Sequence, residues 1–215
     1  MKQILIVFAM ALSMSCFAQS YKETFDSNSL EWTECAYESR NGTAIIENGK
    51  MTVTSKGENK AAGLALSMLS GVATKVGANT FFETHCYAPL DIQKPFTIRT
   101  HVNIEKLSVD RIVGLVFNYK DAGNFYCFTF NNDMVRFSRY VNNMVVGYIE
   151  QGVKWADRKK VDHEWELVSD GRQLNFVVNG MPIMKVKHMP LDYTGVGFYT
   201  FGKQELVVDD IEFIQ

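Results

Sequence analysis

From residue 95 onward the chain repeats its apolar and polar positions with a period of two. "PFTIRTHVNI" (95–104) sets Phe96, Ile98, Thr100, Val102 and Ile104 against Thr97, Arg99, His101 and Asn103. That alternation predicts a strand with one face on a core and the other in water. "RIVGLVFNYK" stops at "DAGN"; "NFYCFTFNND", "MVRFSRYV", a turn at "NN" and "MVVGYIE" follow. "HEWELVSDGRQLNFVVNGMPIMKV" reads as strands joined by turns at Asp170-Gly171 and Asn179-Gly180, strong hairpin signals. "YTGVGFYTF" and "ELVVDDIEF" close the chain. Turn signals recur about every 8–12 residues and long stretches of helical period are absent, so the pattern predicts an all-β, antiparallel sandwich or barrel. One segment is ambiguous. "NKAAGLALSMLSGVATKVG" (59–77) has a helical composition, but Leu64, Leu66 and Met68 also fit period two and Gly63, Gly71 and Gly77 weaken a helix, so it reads as a strand followed by a loop.

The start of the chain changes the expected compartment. Lys2, the apolar run "ILIVFAMALSMS" and the small residue Ala18 in "CFAQS" form a secretory signal peptide over residues 1–18, cleaved after Ala18. The run is shorter than the roughly 18–20 residues that span a bilayer as a helix, and no later segment reads as transmembrane. Lipid attachment at Cys16 is the rival reading, and Ser13, three positions before it, speaks against it. The expectation is a secreted or periplasmic protein with one domain over 19–215. A formal net charge of −2 and a densest basic run of only "DRKK" (157–160) argue against nucleic acid and anionic membranes as partners. After cleavage the cysteines are Cys35, Cys86 and Cys127. Cys127, inside an apolar strand, reads as a small buried hydrophobe, which leaves Cys35 with Cys86 as the pair if a disulfide forms.

Three constellations carry candidate chemistry. In "VDHEWELVSDG" Asp162, Glu164 and Glu166 recur at every second position, so a strand puts all three carboxylates on one face and His163, Trp165 and Leu167 on the other. Glu164 and Glu166 are the catalytic candidates, because residues two apart on a strand lie roughly 6.6–6.8 Å apart, within reach of the carboxyl spacing of a retaining glycosidase. The plainer reading is a solvated strand face. Arg99, His101 and Asn103 share the polar face of one strand; Arg136, Ser138 and Tyr140 share another, and both rows suit a shallow sugar-binding groove on one sheet. Trp155, in the polar connection "QGVKWADRKK", offers a flat ring of the kind that stacks on pyranoses, or caps the edge of the sandwich. Trp32 carries the same two readings.

"ETFDSNSLEW", "AIIENGKMTVTS", "GLVFNYKDAGNFYCFTF", "HEWELVSDGRQLNFVVNG" and "GVGFYTFGKQELVVDDIEF" together resemble exported bacterial domains of the concanavalin A-like superfamily, laminin G-like modules among them. The likeness covers most of residues 23–213 and implies a jelly roll of two curved antiparallel sheets, whose concave face often holds a glycan. It also implies that a tryptophan near position 155 is structural. The β-glucanases of the superfamily carry Glu-x-Asp-x-Glu; here the order is Asp162-His-Glu164-Trp-Glu166, which removes the expected nucleophile and the central aspartate. First and last strands neighbour each other in many jelly rolls, so Glu23 and Asp26 are expected to meet Asp209 and Asp210, a set of hard oxygen ligands suited to a structural Ca²⁺ of the kind such modules often hold at this seam. The resulting expectation is an exported, non-catalytic, carbohydrate-binding domain. A glycoside hydrolase and a structural or protein-interaction domain of the cell envelope are the alternatives, since fold does not choose among them.

Overall fold

The structure, a computed structural model, describes residues 20–33, 42–56, 58–59, 78–79, 81–108, 110–142, 144–153, 161–187 and 189–215. The leader, Cys16, Cys35, Trp155, the "DRKK" run and all of 59–77 except Asn59 lie outside the described residues. In chain order the strands are β1 (Ser20–Glu23), β2 (Gly42–Glu47), β3 (Lys50–Lys56), β4 (Glu58–Asn59), β5 (Ala78–Asn79), β6 (Phe81–Tyr87), β7 (Phe96–Ile104) and β8 (Ile112–Asp121). They continue as β9 (Asn124–Phe130), β10 (Met134–Val141), β11 (Met144–Gly152), β12 (Asp162–Ser169), β13 (Gln173–Val178), β14 (Met181–Lys187), β15 (Gly195–Phe201) and β16 (Lys203–Ile214). No helix occurs among the described residues.

Two antiparallel sheets form the jelly-roll sandwich that the pattern and the resemblance predict. One has eight strands in the order β14-β13-β12-β7-β16-β3-β2, with β1 added on β16; the other has six, in the order β11-β10-β9-β8-β15-β6. β16 joins the far ends of the chain. Its first half pairs with β3, its second half with β1, and β7 runs along its other side with a bulge between Val208 and Asp210.

The turns form where the chemistry predicts them. Asn48-Gly49 and Asn179-Gly180 take left-handed φ values (54° and 71°, 52° and 73°) that suit two-residue hairpins. The turn at Asp170-Gly171 is one residue longer than the dipeptide signal suggests. Asp170 Oδ1 accepts the backbone N–H groups of Arg172 and Gln173, and Gly171 sits at φ 80°.

The inner faces follow from the alternation. β7 buries Phe96, Ile98, Val102 and Ile104; β12 buries Trp165 and Leu167; β13 buries Leu174, Phe176 and Val178. Trp165 meets the edges of Phe130 and Phe176, and Phe176 stacks on Phe128 at 5.0 Å. Trp32, stacked on Phe198 at 5.7 Å and only 3% exposed, is a core residue and not a sugar platform. β8, β9 and β15 break the rule of one wet face. Nearly every residue of "NFYCFTF" and "GVGFYTF" is buried, on both faces of the strand.

Candidate functional site

The two outward-facing surfaces have opposite chemistry. On the eight-stranded sheet, β12 pairs with β7 so that Asp162 opposes Asn103, Glu164 opposes His101 and Glu166 opposes Arg99. The two polar rows read separately from the sequence are therefore one ladder. Arg99 Nε donates to Glu166 Oε1 at 2.7 Å and Nη1 reaches Glu212 Oε2 at 3.5 Å; Asn103 Nδ2 donates to Asp162 Oδ1 at 2.6 Å. His101 lies between Asp210 (Nδ1 to Oδ1, 2.8 Å) and Glu164 (Nε2 to Oε2, 3.1 Å). The hydrogen bond to Asp210 raises the His101 pKa above its ordinary value, with Glu164 adding to it. Burial works against an ionised Asp210, but hydrogen bonds from Lys22 and His101 outweigh it and hold the pKa below the ordinary value. Glu166 has a guanidinium as its fixed partner and Glu164 an imidazole.

The seam carboxylates are dispersed in the same way. Glu23 is buried and accepts the Phe25 N–H at 3.1 Å and the Ser29 hydroxyl. Asp26 accepts from Thr24 Oγ1, Lys50 Nζ lies 2.9 Å from Asp209 and Lys22 Nζ 2.8 Å from Asp210. Calcium takes six to eight oxygens in one cage. These four side chains turn to separate partners, and no group of three or more His, Cys, Asp or Glu suited to a metal occurs among the described residues. The residues present do not fit the expected ion.

The six-stranded sheet turns a different surface outward, and its register sorts that surface into three cross-strand rows. The first runs Glu83, Tyr199, Gly114, Thr129, Arg136, Glu150; the second runs His85, Gly197, Val116, Cys127, Ser138, Tyr148. The third places Tyr87, Gly195 and Tyr119 on one side and Phe125, Tyr140 and Val145 on the other. Rings tile the third row and its neighbours. His85 stacks on Tyr119 at 3.8 Å and Phe125 on Tyr140 at 4.5 Å, while Tyr140 and Tyr199 hydrogen-bond to each other. Tyr119 Oη donates to Glu83 Oε1 at 3.0 Å.

Burial keeps the middle of this face uncharged. It raises the phenol pKa of Tyr119, helped by the Glu83 charge, and raises those of Tyr199 and Tyr140. It pushes the Cys127 thiol up to about 12 and the His85 imidazole down to about 4. Cys127 is the small buried hydrophobe expected, and Cys86 is likewise buried, in the main core. Glycine is required in these rows by close approach: a Cβ at Gly197 would lie 2.0 Å from the Thr84 carbonyl oxygen, and one at Gly114 2.2 Å from that of Phe128.

Access lies toward β10 and β11. Tyr148 is 64% exposed, and Arg136, ion-paired with Glu150, sits over its ring at 5.2 Å. A cleft of about 260 Å³, lined by Ile112, Thr129, Met134, Arg136 and Glu150 among others, opens beside this group. At the opposite end of β10 a cleft of about 210 Å³ is lined by Phe125, Tyr140, Lys120, Arg139, Asp192 and Tyr193. Arg136 and Tyr140 thus share the face the sequence assigned them, one at each cleft. Arg99, His101 and Asn103 do not join them, because they lie on the other sheet. Glu150, Tyr119, Phe125 and Tyr199 escaped the sequence reading. For Tyr119, Phe125 and Tyr199 the signal was the run of apolar residues at both parities in β8, β9 and β15, which marks a sheet with two apolar faces; Glu150, on the exposed β11, lies outside that run.

No protein-family model and no curated protein matches this sequence. Solved structures match by fold. A carbohydrate-binding module, CBM66 from Bacillus subtilis, is similar over 83% of this chain and 91% of its own, with a TM-score of 0.51 and 14% identity. A β-glucanase from Bacillus licheniformis is similar over 90% and 97%, at 0.58 and 10%. The catalytic domain of an endo-1,3-β-glucanase (laminarinase) from Thermotoga petrophila RKU-1 is similar over 92% and 98%, at 0.57 and 11%. The chain therefore has the concanavalin A-like jelly-roll fold found in both binding modules and hydrolases.

Proposed function

We propose that this chain is an exported glycan-binding domain and that the sugar lies on the β10–β11 side of the six-stranded sheet. The observation that carries the reading is the exposed ring of Tyr148 under Arg136, beside the cleft that Arg136 and Glu150 line, on an otherwise aromatic face. Flat rings cover the apolar faces of pyranoses, and Arg136, Glu150, Lys120 and Asp192 supply donors and acceptors for hydroxyls. Binding modules and β-glucanases of the same fold support sugar as the ligand class.

The same face argues against hydrolysis. Its strand carboxylates, Glu83 and Glu150, sit at opposite ends of one cross-strand row, five strand spacings or about 24 Å apart. Glycosidases need their two carboxyl groups within about 5–9.5 Å. Asp121, at the end of β8, is tied to its own turn by Gly123 N–H and Asn124 Nδ2.

Affinity electrophoresis of the mature chain through gels containing soluble polysaccharides, a β-1,3-glucan among them, tests the reading. Retardation by one or more glycans is expected, weakened about tenfold in Kd by Tyr148→Ala or Arg136→Ala and unchanged in Glu164→Gln/Glu166→Gln. Retardation that survives both single substitutions, or release of reducing sugar lost in the double glutamine variant, overturns it.

A further inference from the structure

Edge strands present unpaired backbone N–H and C=O groups, which proteins blunt with short strands, lysine, proline or a covering segment. Among the described residues the two large sheets guard four of their edges in these ways. β1 has four residues, and β2 has six with only Ile45 and Glu47 exposed. β14 carries Pro182, Lys185 and Lys187. β6 is covered by Thr33, whose N–H donates to the His85 carbonyl at 2.8 Å and whose Oγ1 accepts the His85 N–H at 3.2 Å. The fifth edge, β11, has no such guard. It is nine residues long, contains neither lysine nor proline, and pairs with β10 alone among the described strands. All nine residues are exposed, and Met144, Val145, Val146, Tyr148 and Ile149 are each 47–64% so.

The occupant that fits this edge is a second copy of the same strand. Its one charged side chain, Glu150, is already matched by Arg136 within the chain, so the edge offers no net charge to select an oppositely charged strand. Identical strands pair antiparallel about a two-fold axis, and such an interface closes on itself. Parity then fixes the register, because directly opposed residues share a face of the sheet. The β10–β11 ladder passes from Arg139–Gly147 to Tyr140–Val145 and leaves Val146 as an extra, bulged residue. Only the arm from Gly147 to Gly152 therefore alternates without interruption. Centring a pair on Glu150 opposes two carboxylates, which repel. Centring it on Tyr148 runs Glu150 onto the bulged Val146. Centring it on Ile149 sets Ile149 against its own copy, Gly147 against Gln151 and Tyr148 against Glu150. That register matches faces throughout, since Tyr148 and Glu150 both lie outward and the other three lie on the opposite side.

We propose that two copies of this chain pair antiparallel through β11, centred on Ile149, so that their six-stranded sheets run on as one. The axis stands perpendicular to the sheet, and both aromatic faces look the same way. Where the group of Tyr148, Arg136 and Glu150 is a sugar site, as inferred above, the dimer joins two such sites and each Tyr148 gains Glu150 of the second copy as a neighbour. A ladder of five residues a side is small for a specific interface, so a Kd of about 10–100 µM is expected. A polysaccharide long enough to lie on both sites gains by avidity.

Sedimentation equilibrium of the mature chain without sugar, from about 5 to 500 µM, tests the pairing on its own and should show monomer passing into dimer. Ile149→Lys sets two ammonium groups against each other at the axis and should weaken the dimer at least about tenfold. Ile149 is 49% exposed, so the variant should fold, and its thermal melt checks that it has. Ile149→Cys should cross-link to a reducible dimer on mild oxidation, while Ile45→Cys, at a residue as exposed on β2, should not. In affinity gels Ile149→Lys should lose about tenfold of its retardation by a β-1,3-glucan polymer and keep its affinity for the trisaccharide. A monomer at the highest concentration, or a dimer that neither the lysine weakens nor the cysteine cross-links, overturns the proposal. A dimer that no glycan retards sinks the sugar reading alone, and a monomer that glycans retard sinks the pairing alone.

Discussion

On the eight-stranded sheet, the outward position on β7 opposite Glu166 holds Arg99, and the next holds His101 opposite Glu164. On the six-stranded sheet, the outward positions of β9 and β10 that oppose each other hold Phe125 with Tyr140 and Cys127 with Ser138. Strand geometry is the same in both places; only the side chains differ. In the first, cation and carboxylate alternate and satisfy one another in water, where a single pair contributes little. In the second, the surface that would ordinarily be wet is 2% exposed at Phe125 and 1% at Cys127, and behaves as a second small core outside the main one. A charged row on a strand is thus weaker evidence of a site than an apolar row where water was expected.

Truncation should separate the two faces most sharply. Phe125→Ala removes a buried ring from the outer cluster and is expected to cost about 3–5 kcal/mol, the loss typical of a core phenylalanine. Arg99→Ala, on the other face, should cost about 1 kcal/mol or less. The midpoint of urea unfolding, read at constant slope, measures both. A cost below about 1 kcal/mol for Phe125→Ala would dissolve the distinction between a second core and a polar ladder.

Acid should divide the faces by sign. His85 has its folded pKa lowered to about 4, so between its unfolded value near 6.5 and about 4 the unfolded chain binds the extra proton and stability falls as pH falls. His101 has its folded pKa raised, so its contribution is complete below about 6.5 and is lost as pH rises through the raised value. His101 is nearly half exposed and its effect is the smaller of the two, screened by solvent. Melting temperatures of His85→Gln and His101→Gln from mild acid to neutral pH, against the parent chain, check this. Relative to the parent, the first variant should gain at the acid end and the second should lose there. Shifts of the same sign in both would refute the assignment of these environments.

Strand periodicity made much of this legible. The alternation in "PFTIRTHVNI" gave the correct inner face of β7, and the Asn179-Gly180 signal gave the correct hairpin. What period two does not encode is which strands lie side by side. Arg99 and Glu166 are 67 residues apart, and neither stretch carries a mark of the register that makes them partners. For the same reason Arg99 and Arg136 looked like members of one groove, though the sandwich places them on different sheets. The first and last strands do neighbour each other, and Glu23 opposes Ile211, the residue after Asp210. Lysines from β1 and β3 and the imidazole of β7, however, reach Asp209 and Asp210 first. The aromatic face was written in the sequence as "NFYCFTF" and "GVGFYTF", but a run apolar at both parities reads equally as a strand buried on both sides, without saying what the second side is for.

The smallest expected effect concerns the carboxylates that looked most chemical in the sequence. Glu164→Gln and Glu166→Gln each remove one charge from the ladder but keep the side chain's length and a carbonyl oxygen to accept from His101 and Arg99. Each should change stability by about 0.5 kcal/mol, within the range of ordinary surface substitutions. The two sites share neighbours through the β7 row, so the double variant need not be the sum of the singles, and a double-mutant cycle reads the coupling directly. If these residues only balance charge, the loss should shrink as salt is added, since screening already weakens exposed pairs. A loss of more than about 2 kcal/mol that persists in high salt would show the ladder to be structural in its own right, and the contrast with the aromatic face would then be one of chemistry alone and not of energy.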